Sequence, residues 1–123
     1  MFKGIVESIG KIVHIESKGE NKVFTIESKL TPELKIDQSI SHNGVCLTVE
    51  MLDLNSNQYQ ITAIHETLSK TTLGEWNVGE EVNLERSVTL NQRLDGHLVQ
   101  GHVDGLVVCV GKEDKEGSIV YTF

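Results

Sequence analysis

Short runs in which apolar and polar residues alternate, separated by turn residues, dominate this chain. Ile5 to Ile15 reads as one long strand, with Gly10 a candidate bulge where it bends. Ser17 to Asn21 is turn chemistry, and Lys22 to Glu27 alternates as the returning strand. Thr31-Pro32-Glu33-Leu34 predicts one helical turn, with Thr31 as its cap. Val45 to Leu52 and Gln58 to Ile64 read as strands joined by the Asp53 to Asn57 turn. A short helix is predicted over Glu66 to Leu73, ended by Gly74, followed by a turn at Asn77 to Glu80 and a strand from Glu81 to Val88. About six short strands in this arrangement imply an all-β fold, an antiparallel sandwich or small barrel. In a barrel this small, side chains fill the interior, so a ligand would sit in a shallow pocket at its mouth or edge.

After the polar stretch Thr89 to Gly96, the best linker candidate, the pattern restarts: Leu98 to Val110, turn residues Gly111 to Ser118, then Ile119 to Phe123. This tail matches the beginning of the chain. At an offset of 97, the 24 pairs from Lys3/Gln100 to Ile26/Phe123 align without a gap, and seven are identical, among them Gly4/Gly101, Val6/Val103 and Thr25/Thr122. So long a period suits a duplicated domain rather than a solenoid. Two unrelated hairpins rich in Val, Thr and Gly would also align to some degree. The division expected from this is a domain at residues 1–96 and the first hairpin of a second, truncated copy at residues 97–123. An isolated hairpin is marginal in water and would have to pack on something.

The 123 residues suffice for one domain with its own core but not for two. A net charge of −7 argues against a nucleic-acid partner and against an anionic membrane surface. No apolar run reaches the 18 or so residues needed to span a bilayer, and the N-terminus lacks a secretory signal. Cys46 and Cys109, the two cysteines, read as buried thiols in a reducing cytoplasm rather than as a disulfide.

Few constellations suggest chemistry. His97, His102 and Cys109 invite a metal reading, but on a regular strand a separation of five sends the two imidazoles to opposite faces, so no metal is expected. Cys46 lies mid-strand among apolar residues, which favours a structural thiol over a nucleophile. His42 and Asn43, before Gly44, read as a polar surface turn. Thr62 to Thr67 places hydrogen-bonding groups at a strand-to-helix junction, where they could meet a polar ligand or simply cap the helix. Gly4 and Gly101 occupy matched places and mark either bulges or the close approach of a backbone or ligand.

At Met1 to Val6, Asn43 to Val49, Glu66-Thr67-Leu68 and Gly96 to Asp104, the chain resembles the riboflavin synthase family, which shares these segments with lumazine-binding fluorescent proteins. The resemblance implies tandem six-stranded closed Greek-key barrels with one or two short helices. This chain would carry the first barrel and the opening hairpin of the second. It also implies dismutation of two 6,7-dimethyl-8-ribityllumazine molecules into riboflavin and 5-amino-6-ribitylaminouracil, with no cofactor, in a cytoplasmic homotrimer. Carried over by position, the first site uses Gly4, Ile5 and Val6, then Cys46, Leu47 and Thr48, then Thr62, Ala63, Ile64, His65, Glu66 and Thr67. Gly101, His102 and Val103 begin the second site, and His102, Ser39 and Cys46 are the catalytic candidates. A chain ending at Phe123 would bind ligand but turn over poorly. The alternative is a non-catalytic lumazine or flavin binder of the fluorescent type.

Overall fold

A computed structural model describes all residues from Met1 to Phe123. Seven strands form one curled antiparallel sheet: β1 (Ser8–Lys18), β2 (Asn21–Glu27), β3 (Ser39–His42), β4 (Val45–Thr48), β5 (Met51–Asp53), β6 (Gln58–Ala63) and β7 (Glu81–Arg86). Their spatial order is β4-β3-β7-β1-β2-β6-β5, so β4 and β5, the two ends of the sheet, are neighbours in sequence. The single strand predicted over Val45 to Leu52 is therefore divided by a kink at Val49-Glu50. There the Val49 N–H donates to the Gln38 carbonyl at 2.9 Å and the Glu50 N–H to that of Gln60 at 2.9 Å. One bent strand thus serves both ends, and with β4 and β5 counted together the sheet has the six strands expected of the barrel.

The alternation of buried and exposed positions along β1, β4, β6 and β7 sends one side of each strand into a common core, while β2, central in the sheet, is buried continuously from Val23 to Ile26. Ile12, Phe24, Ile26, Ile40, Tyr59, Ile61, Val82 and Leu84 are essentially inaccessible there, and Trp76 packs edge-on against Phe24 at 5.4 Å between ring centres. The bulge in β1 lies at Val13, where the register with β2 shifts, and not at the expected Gly10. Gly10 is a packing glycine: a Cβ there would stand 2.7 Å from Ile26 Cγ2 and 2.8 Å from Leu84 Cδ1. Gly10→Ala is expected to destabilise the fold by roughly 1–3 kcal/mol through overpacking. Urea unfolding checks this, and an unchanged midpoint would show that the core can yield at that point.

Two further expectations are corrected. The β3–β4 hairpin turns on Asn43-Gly44, both with positive φ (49° and 90°), as a two-residue turn requires. His42 consequently belongs to β3 and points inward, fully buried, instead of lying on a surface turn. Thr31 does not cap its turn. A 3-10 turn spans Thr31–Glu33 with Leu30 at the cap, while the Thr31 hydroxyl donates to the Asn57 carbonyl at 2.9 Å. The predicted helix is α1 (His65–Lys70), broken at the extended Thr71, after which Gly74 lies inside a 3-10 turn (Thr72–Glu75) rather than terminating α1.

Beyond β7 the chain is irregular through Val110, apart from a single bridge between Phe2 and Val99, so the strand predicted over Leu98 to Val110 does not form. β8 (Gly111–Asp114) and β9 (Ile119–Thr122) then make a separate two-stranded sheet, with Ile119, Val120, Tyr121 and Phe123 exposed. The part of the tail that packs on the barrel is the irregular segment before this hairpin.

Candidate ligand-binding site

Residues 97–104 run beside the N-terminal arm and then across the open edge of β4. The Phe2 N–H donates to the Val99 carbonyl at 2.7 Å, and the Val99 N–H returns the bond to Phe2 at 2.9 Å. Phe2 is buried beneath this pairing, and the His97 N–H donates to the Lys3 carbonyl at 3.3 Å. Farther on, the Cys46 N–H donates to the Gly101 carbonyl at 2.9 Å. This N–H faces away from β3, as does that of Thr48 two residues along, by the alternation of an antiparallel strand. Gly101 has φ +80°, and a Cβ on it would lie 2.9 Å from Cys46 Cβ, 3.1 Å from Cys46 N and 3.2 Å from the Gly44 carbonyl oxygen. Of the readings open for this glycine, close approach to another backbone is what the structure displays.

A cleft of about 280 Å³ opens beside this contact. Val45 and Cys46 form one wall, Glu66, Thr67, Lys70 and Thr71 a second, and Gly101 to Asp104 a third. That volume lies just below the range of about 300–1,000 Å³ usual for small-molecule sites. Val103 also packs against the barrel core, leaving exposed His102 at the rim. The Lys70 ammonium bonds the Glu66 carboxylate at 2.7 Å. That bond holds the Glu66 carboxyl below the usual carboxylate range and, reciprocally, raises the Lys70 ammonium. The Thr71 hydroxyl donates to the Thr67 carbonyl at 2.7 Å and fixes the end of α1. The cleft therefore combines an apolar wall with a paired charge, and the outward Cys46 N–H at its edge is already taken by Gly101.

Of the residues named from the sequence, Cys46, Glu66, Thr67, Gly101, His102 and Val103 line this cleft together. Ser39 and Thr48 are cross-strand partners on the outer face of the β3–β4 hairpin, as are Ser41 and Cys46. Leu47 and Ala63 are buried in the core, so only their backbone atoms could meet a ligand. Thr62 donates its hydroxyl to Glu50 Oε2 at 2.7 Å, Ile64 is the exposed residue before α1, and the His65 N–H donates to Asn21 Oδ1 at 3.2 Å. Gly4 and Val6 line a different hollow of about 250 Å³ with Phe2, Ser41, Glu85 and Val99, while Ile5 is exposed on the same arm. Lys70, Thr71, Asp104 and Val45 were not anticipated as cleft residues. The i,i+4 spacing of Glu66 and Lys70 was the available signal for the first.

The model of the lumazine binding domain matches residues 3–87. The chain is 44% identical to a riboflavin synthase of Actinobacillus pleuropneumoniae over 106 residues, covering 85% of this chain and 48% of that protein. To the riboflavin synthase of Bacillus subtilis (strain 168) it is 38% identical over 122 residues, covering 98% of this chain and 56% of the relative. It spans about half the length of the riboflavin synthases it matches. Among solved structures it superposes on LumP complexed with 6,7-dimethyl-8-(1'-D-ribityl) lumazine with a TM-score of 0.81 at 24% identity, over 97% of this chain and 66% of that one. LumP complexed with riboflavin gives 0.80 at 24% identity, over 94% and 62%. A family match over most of the chain and a shared fold agree: the chain belongs to the lumazine-binding-domain family.

Proposed function

We propose that this chain is the N-terminal barrel of a riboflavin synthase with the opening hairpin of a second barrel, and that its cleft binds one molecule of 6,7-dimethyl-8-ribityllumazine or riboflavin. The observation that carries this reading is the docking of Gly101 to Asp104, the repeat partners of Gly4 to Glu7, on Cys46 of the first barrel. A flat heteroaromatic ring would lie against Val45 and Val103, with β4 backbone groups reading its pyrimidine edge. The ribityl hydroxyls would reach the Glu66, Thr67 and Lys70 side. Under the repeat, Gly4-Ile5-Val6 would play toward a second barrel the part that Gly101-His102-Val103 plays here, reversing the assignment of the two segments made from the sequence. Gly4 and Gly101 share nearly the same backbone conformation, with φ of 77° and 80°.

In the complete enzyme, one lumazine would pass a four-carbon unit to another, giving riboflavin and 5-amino-6-ribitylaminouracil. Holding the two rings in antiparallel contact is worth up to roughly 7–11 kcal/mol of the barrier. His102, at the cleft rim, would assist transfer of the C7-methyl proton, with Cys46 in the cleft and Ser39 farther along the same hairpin face. The complete protein would be a cytoplasmic trimer in which the ligand lies between barrels of neighbouring subunits. The identity to riboflavin synthases, 44% and 38%, against 24% to LumP, favours the enzyme over a non-catalytic binder.

The purified chain is expected to quench riboflavin fluorescence saturably, one ligand per chain, and to form no riboflavin from the lumazine. Efficient turnover by these 123 residues would overturn the half-site reading. Absence of riboflavin formation by the protein carried to the full length of its relatives would leave the non-catalytic binder.

A further inference from the structure

Glu85 is buried on the outer face of β7 and forms no ion pair; its carboxylate is spent on backbone instead. One oxygen accepts the Lys3 N–H, and the other accepts those of Gly4 at 3.0 Å and Ile5 at 3.2 Å. Three consecutive N–H groups can converge on one carboxylate only because Gly4 takes positive φ and curls the arm around it. Bonds from N–H groups to an ionised acceptor are stronger than neutral ones, and losing such a buried partner strands several donors at once. The clamped arm is the same stretch that pairs through Phe2 with Val99, and Val99 stands two residues before Gly101 on Cys46.

We propose that Glu85 is a positioning residue for the ligand cleft: by clamping the N-terminal arm, it fixes the strip of tail that forms the cleft's third wall. The clamp lies outside the cleft and reaches it by this relay: Glu85 to the arm, the arm to Val99, and Val99 to Gly101. Glu85 also pairs across the sheet with Ser41, the cross-strand partner of Cys46, and a variant at Val99 leaves that second route untouched. The proposal rests on the reading of the cleft as a ligand site, but the relay itself exists in the empty protein.

The test uses Glu85→Gln, which keeps the size and removes the charge and one acceptor oxygen, and Val99→Pro, which deletes the donor to Phe2. Amide hydrogen exchange of the ligand-free protein, read by NMR, is expected to show loss of protection in Glu85→Gln at Val99 and at Cys46, two sites that Glu85 does not touch. Core amides such as those of Phe24 and Ile61 should keep theirs. Riboflavin affinity, by fluorescence quenching, is expected to fall about tenfold in each variant, with the double variant little worse than either, since both cut one relay. Unchanged exchange at Cys46, or a uniform loss across the core, would overturn the positioning role, as would independent effects that multiply in the double variant. If Glu85→Gln fails to fold, Val99→Pro decides alone: unaltered exchange at Cys46 and unaltered affinity would break the relay at its second link. Failure of the parent protein to bind riboflavin would sink the ligand-site reading, and the relay would then stand or fall on the exchange data.

Discussion

Gly101→Ala is expected to lift the tail from β4 and weaken riboflavin binding at least tenfold, with little loss of barrel stability. The added Cβ would meet Cys46 Cβ at 2.9 Å, Cys46 N at 3.1 Å and the Gly44 oxygen at 3.2 Å. Two of these three atoms are backbone, one in β4 and one in the tight turn before it, and cannot swing aside as a flexible side chain would. The residue would also be held at φ +80°, a region costing an L-residue roughly 1–2 kcal/mol. Since about 1.4 kcal/mol is a factor of ten, strain and clash together easily exceed tenfold. Gly4→Ala is the internal control. It carries the same strain at φ +77°, but its nearest new neighbour is Val99 Cγ2 at an ordinary 3.9 Å. The smaller effect expected at Gly4 isolates the clash at Gly101. Riboflavin titration alongside thermal melting separates affinity from stability, and parental affinity in Gly101→Ala would show that the tail is no part of the site.

The second large effect is acid sensitivity centred on His42. Its Nδ1 lies 3.1 Å from the Ile40 carbonyl, which can only accept, so Nδ1 carries the proton and Nε2 accepts from the Tyr59 hydroxyl at 2.8 Å. The neutral ring is thus fully satisfied, and desolvation pushes its pKa down to about 4, outweighing the opposing backbone hydrogen bonds. The same burial raises the Tyr59 phenol, which keeps it a donor at every relevant pH. Because the folded pKa lies below the unfolded value of about 6.5, the unfolded chain binds the proton more readily. Stability is therefore complete above pH 6.5 and declines as pH falls toward 4. At about 1.4 kcal/mol per unit, the loss over that window is about 3 kcal/mol from this one side chain. Urea unfolding at a series of pH values measures the total, and NMR titration of the ring assigns it. A His42 ring that protonates near pH 6.5 with the barrel intact would refute the prediction.

Much of the barrel is legible from alternation and turn chemistry. Ser17 to Asn21 between alternating runs marks the β1–β2 hairpin, and Asp53 to Asn57 marks β5–β6. The same rules covered His42 less well. Asn43-Gly44 is the strongest local hairpin signal in the chain, yet β3 has only four residues, two of them serines, and a histidine on its inner face. Local polarity gave no hint that Tyr59, 17 residues away, supplies its partner. The kink at Val49-Glu50 was hidden because closure of a barrel is a nonlocal demand on a segment rich in β-forming residues, and a single Glu does not mark a break. Leu98 to Val110 failed for the converse reason. Its β-forming residues find no partner strand beyond the bridge at Val99, and without a ladder, propensity alone does not make a strand. The cleft was legible as a set of segments through the family resemblance and the repeat. Their grouping was not, since only the fold brings Gly101 to Cys46 and puts Gly4 and Val6 in an adjoining hollow that Gly101 also lines.

In the proposed function, one ligand binds between the barrel and its own tail. The most direct test of this is NMR shift mapping of the labelled 123-residue chain during titration with riboflavin. Saturable shifts are expected to concentrate at Cys46, Thr67, Lys70 and His102, with Gly4 to Val6 little affected. Shifts centred on Gly4 to Val6 instead, or none at saturating riboflavin, would contradict that binding mode.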